Sequence, residues 1–117
     1  MKLIFFIIFI CFSFSSNLSA AAYLTGNDLM KDCQDANSPA ALSHCYGYIK
    51  GMVDGHDATV FWGDTTLGQF CVPDNVNAHQ IKLIVIKYMN ERPEKLHNFA
   101  ASVFLMESLI AAFPCSQ

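Results

Sequence analysis

Three acid/base side chains crowd one short stretch of this chain: Asp54, His56 and Asp57. At helical spacing Asp54 and Asp57 share a face, three residues apart, and His56 points elsewhere. Paired carboxylates of this kind serve general acid/base chemistry or hold a cation. Neither use finds the other parts it needs here. There is no G-x-S-x-G and no H-E-x-x-H anywhere in the chain. The expected role is a solvated acidic face beside a half-buried histidine, with no catalytic site, cofactor or metal.

The cysteines point the same way. Five are present, at positions 11, 33, 45, 71 and 115. No C-x-x-C occurs, and His44, His56, His79 and His97 do not fall at finger-like spacings from them, so zinc is not expected. Cys11 sits inside an apolar N-terminal run. The other four form the even set expected of a disulfide framework in a small exported chain. Three pairings are possible. The expected one is Cys33–Cys45, across a short turn between adjacent helices, with Cys71–Cys115, from mid-chain to the C-terminus. Forming them removes the best nucleophiles.

Export is read from the N-terminus. Met1-Lys2 is a short basic start, positions 3–14 are almost wholly apolar, and Ser15 to Ala22 is small and polar. That order is a secretory signal peptide, with cleavage expected after Ala21 or Ala22. The apolar run is shorter than the ~20 residues of a spanning helix. The expected organisation is a signal over 1–21 and one domain over 22–117. Without Lys2, six basic side chains face ten acidic ones, a net charge near −4. That argues against nucleic acid or an anionic membrane surface as partner and leaves room for a basic protein.

The elements that must carry these residues read as helices. Thr25 with Asp28 three residues on is close to a capping box for a helix over 27–34. Ser38 caps a second, long helix that starts at Pro39 and runs to about Val60. Leu42, Cys45, Ile49, Met52, Val53, His56 and Val60 form its apolar stripe. Gly47, Gly51 and Gly55 form another, which predicts close packing of a neighbouring helix or contact with a second copy of the chain. Asn77 with Gln80 caps a third helix whose stripe is Ile81, Ile84, Val85 and Tyr88, broken by Pro93. Asn98 is expected to cap a last helix with Phe99, Val103, Met106, Ile110 and Phe113 on one face. That helix is apolar on almost every side, so it reads as the central, buried element. Trp62, the only tryptophan, is expected to plug the core, the alternative being an exposed binding anchor. The fold class is all-α: a compact bundle of four to five helices stapled by two disulfides.

Several short motifs occur together in order. Cys33 is followed by Cys45-Tyr46-Gly47-Tyr48-Ile49, then Gly51 and Asp54. Phe70-Cys71-Val72-Pro73, Lys87-Tyr88-Met89-Asn90 and Pro93-Glu94-Lys95-Leu96-His97 come next, and Ala111-Ala112-Phe113-Pro114-Cys115 closes the domain. This pattern resembles the Rap/Tai family of immunity proteins. The resemblance implies a small, helical, disulfide-containing periplasmic protein, often dimeric. It also implies protection against a peptidoglycan amidase toxin delivered by type VI secretion. The matched residues are framework, so they carry over no interface. The candidate contact residues are Trp62, Asp64 and Thr65 in one loop and Glu91, Arg92 and Glu94 in another. A different class of reading is a periplasmic structural or stress-response module, chaperone-like and acid-sensitive through its histidines.

Overall fold

In the computed structural model, residues 23–116 are described, apart from 65 and 67. The signal-peptide expectation and Thr65 lie outside them. The elements are α1 (Gly26–Gln34), α2 (Pro39–Phe61), α3 (Ala78–Asn90), a 3-10 turn (Pro93–Lys95) and α4 (Ala101–Ala112). The all-α expectation holds, and no helix among the described residues is long and apolar enough to cross a membrane.

Local chemistry starts three helices where the sequence indicates. The Thr25 hydroxyl accepts from the Asp28 N–H, while the Asp28 carboxylate accepts from the Thr25 N–H and hydroxyl. These bonds satisfy donors that the first turn would otherwise leave bare. They also hold the Asp28 carboxyl below its ordinary range, the side-chain bond to Thr25 contributing most. Ser38 caps α2 over Pro39. Asn77 and Gln80 close a second capping box on α3.

Leu29, Ile49, Val85, Met89, Phe104, Leu105 and Leu109 form the centre of the core. Cys33–Cys45 joins α1 to α2 with 5.1 Å between the Cα atoms, and Cys71–Cys115 joins the segment before α3 to the tail after α4 at 4.9 Å. Both pairings are the expected ones. They matter in a domain this small, whose core alone is thin.

Three expectations need correction. First, α4 begins at Ala101 rather than after an Asn98 cap. Backbone pairing decides this: Ala101 N–H donates to Leu24 O at 2.7 Å, Gly26 N–H donates to Phe99 O, and Thr25 bridges Ala100. Those bonds hold residues 99 and 100 extended. Second, α4 is not buried all round: it buries Ala101, Phe104, Leu105, Ser108 and Leu109 and turns its other apolar face outward. Phe99 and Val103 are exposed, and Met106, Ile110 and Phe113 only flank the core. Third, Gly47, Gly51 and Gly55 are exposed, and among the described residues no atom lies within 4 Å of where their Cβ atoms would sit. They are not packing sites for another helix of this chain, and α2 continues past Gly55 to Phe61. The helical glycine that does admit a close neighbour among the described residues is Gly26, where a Cβ would lie 2.6 Å from the Phe104 ring.

Candidate functional site

The long helix ends in a way that fixes what it displays. Gly63 takes φ +80, its N–H donates to Val60 O, and Asp64 N–H donates to Thr59 O. That paired closure is the Schellman motif, and the left-handed residue it needs is most easily glycine. Phe61 and Trp62 are the last residues before it. They stand 81% and 82% exposed and meet edge to face, ring centres 5.4 Å apart. Trp62 therefore stands in solvent and is not the core plug. Large aromatics left this open are uncommon on a small soluble domain and mark contact surfaces.

The loop that follows is held at both ends. Asp64 accepts from the Thr66 hydroxyl at 2.8 Å and from the Thr66 N–H at 3.1 Å. These bonds, the hydroxyl first, pull its carboxyl below the ordinary aspartate range. At the far end Cys71 N–H donates to Phe113 O at 2.8 Å, Phe70 bridges Pro114, and Cys71 is bonded to Cys115. Against α2, the Phe70 ring stacks on His56 with centroids 3.7 Å apart. His56 is only 7% exposed, more buried than expected.

Along this stretch of sequence the formal charges have one sign. From Gly51 to Ile81 there is no Lys or Arg, while Asp54, Asp57, Asp64 and Asp74 are all exposed. Beside the aromatic pair lies a cavity of about 480 Å³ reaching from Val60 and Phe61 to Gln69 and Cys115. Along the α2–α4 seam runs an apolar groove of about 520 Å³, lined by Met52, Gly55, Val103, Met106 and Ile110. The outward-turned face of α4 supplies one wall. The chemistry available here is recognition: an apolar, aromatic surface with an acidic rim. The cysteines that could act as nucleophiles are oxidised, and among the described residues no three metal-ligating side chains converge.

Glu91, Arg92 and Glu94 do not join this surface. The 91–99 turn pairs with Gly26 and Asn27 where α4 begins, whereas Phe70 and Cys71 pair where α4 ends. The 12 residues of α4 separate the two sets by ~18 Å. Glu91 and Glu94 are exposed, but Arg92 is occupied. Its guanidinium lies 3.7 Å over the Tyr88 ring and its Nη1 donates to Tyr88 O and Glu91. Tyr88 OH in turn donates to Glu107 at 2.9 Å, and burial, with that bond second, pushes the phenol above its ordinary range. Arg92 is a strut for α3. The residues missed were Phe61 and the α2–α4 groove. Helical phase was the available signal for the first, because Phe61 falls off the stripe that carries Cys45, Ile49, His56 and Val60.

This arrangement has a match. The sequence model of the Rap1a immunity proteins covers residues 25–115, from the Thr25 cap to the last disulfide cysteine. The chain belongs to the Rap1a immunity protein family. Membership implies a protein toxin as the partner. No curated protein and no solved structure gives a significant match.

Proposed function

We propose that the mature chain is a periplasmic immunity protein that binds a peptidoglycan amidase toxin delivered by type VI secretion and blocks its substrate cleft. The observation that carries this reading is the exposed Phe61–Trp62 pair, capped by Gly63 and rimmed by Asp57 and Asp64, on a scaffold matched to the Rap1a immunity family. Two stiff aromatic side chains fill a pocket at low entropic cost. Behind them Asp64 holds Thr66 and the Cys71–Cys115 staple holds the far end, so less freedom is lost there on binding. The uninterrupted acidic charge would speed encounter with a basic or polar cleft and discriminate against acidic ones. Inhibition by occlusion asks no catalytic step of this chain. Homodimer formation, implied by the same resemblance, belongs to this proposal, and sedimentation of the oxidised domain tests it.

The test is co-expression in the periplasm with the amidase encoded beside the gene. The expected result is a co-purifying complex, loss of amidase activity, and sensitivity to neighbouring cells when the gene is deleted. Absence of binding together with unchanged sensitivity overturns the reading. A stress-response module would show neither.

A further inference from the structure

His56, 7% exposed, packs against Phe70 in the segment that follows the aromatic pair. Its Nε2 accepts the Phe70 N–H at 3.4 Å, so that nitrogen carries no hydrogen. Its Nδ1 lies 3.2 Å from the Asp57 carboxylate, which can only accept, so Nδ1 carries the hydrogen. The two neighbours thus select one neutral tautomer. A second proton would have to enter at Nε2, where the Phe70 N–H already points, so protonation and the Phe70 bond exclude each other. Phe70 is 4% exposed, and a displaced amide would have to turn towards the cavity that Phe70 lines with Gln69 and Cys71.

We propose that His56 is a proton-operated latch on Phe70. Taking up a second proton releases the Phe70 amide and loosens the chain at Gln69 and Phe70, beside the aromatic pair. The surroundings favour release of the amide over ejection of the ring. Asp57 faces it from α2, and Glu107 on α4 lines the same groove. The segment itself presents Gln69, Phe70 and the Cys71–Cys115 disulfide, none of which titrates, and no Lys or Arg lines either cavity beside the ring. Both facing charges are negative and hold an imidazolium in place.

The test follows two signals in the oxidised protein as pH is lowered: the ring nitrogen shifts of His56 and hydrogen exchange at the Phe70 amide. The expected result is a loss of Phe70 protection of about tenfold or more that tracks double protonation of the His56 ring, while Val85 and Leu105 stay protected. His56→Phe keeps a stacking ring without an acceptor, and should leave the Phe70 amide unprotected at every pH. Should that variant fail to fold, His56→Gln restores an acceptor that does not titrate, and Phe70 protection should become independent of pH. Retained protection while the ring titrates overturns the latch, as does a ring that stays singly protonated until Val85 and Leu105 also exchange. The consequence for binding rests on the toxin-binding reading, and its failure is distinguishable. Toxin affinity that ignores an open latch removes the coupling, and no toxin binding at any pH removes that reading and leaves the latch.

Discussion

Four helical glycines should respond to alanine with opposite signs. At Gly47, Gly51 and Gly55 an added methyl meets nothing within 4 Å. Each substitution then removes a flexible residue from the interior of α2 at no steric cost. The gain is about 1 kcal/mol per site, roughly 2–3 kcal/mol for the triple variant. At Gly26 the methyl would lie 2.6 Å and 3.0 Å from two Phe104 ring carbons and 3.1 Å from Leu96 Cδ2. Phe104 is buried at the centre of the core, so its ring cannot swing clear. Overpacking of this kind costs about 1–3 kcal/mol, and Gly26 opens α1, where helix propensity gives little back. In a domain of this size 1 kcal/mol moves the melting temperature by roughly 4–8 °C. Thermal melts of the oxidised protein, followed by circular dichroism, should rise by roughly 10–20 °C for the triple variant and fall for Gly26→Ala. A triple variant that melts lower than the parent refutes the exposure of the α2 stripe. An unchanged Gly26→Ala refutes the Phe104 contact.

Other perturbations separate fold from surface. Phe61→Ala with Trp62→Ala should leave the melting temperature nearly unchanged, because both rings stand in solvent, yet weaken toxin binding by roughly 30-fold or more. Replacing both members of a disulfide with serine should cost about 3 kcal/mol for Cys33–Cys45 and about 4 kcal/mol for Cys71–Cys115, the order of their 12- and 44-residue separations, measured by urea unfolding. Asp28 is held below its ordinary range by Thr25. Its capping contribution is therefore complete above that range and lost as pH falls through the lowered value, and Asp28→Asn should flatten that acid limb of the stability profile. Tyr88 is shifted the other way by burial and Glu107. Its contribution is full below the ordinary tyrosine range and lost as pH rises through the raised value. Ultraviolet titration should show its phenol ionising late, and Glu107→Gln should bring it earlier.

What could be read before the fold was known was local. Thr25 with Asp28, Ser38 with Pro39 and Asn77 with Gln80 each satisfy backbone donors within three residues, so the helix starts they predict are the ones found. The preferred disulfide pairing rested on the short connection between Cys33 and Cys45, which left Cys71 to reach Cys115 across 44 residues. What failed was orientation. On α4 nearly every position is apolar, so periodicity carries no phase, and the pairing of Leu24–Gly26 with Phe99–Ala101 chose the buried face instead. The α2 glycines pointed to a neighbour that the chain does not supply. Trp62 suits a core or a contact surface equally by composition, and only its exposure in the folded chain separates the two. Arg92 reads as a free cation in sequence because its partner, the Tyr88 ring, comes into reach only when α3 ends as it does.

The most direct measurement is the affinity of the oxidised protein for the amidase encoded beside its gene, by calorimetry, for the native chain and for the Phe61→Ala, Trp62→Ala double variant. Tight binding that abolishes amidase activity and collapses in the double variant is the expected result. A native protein that binds no such enzyme, or a double variant that binds as well as the parent, contradicts it.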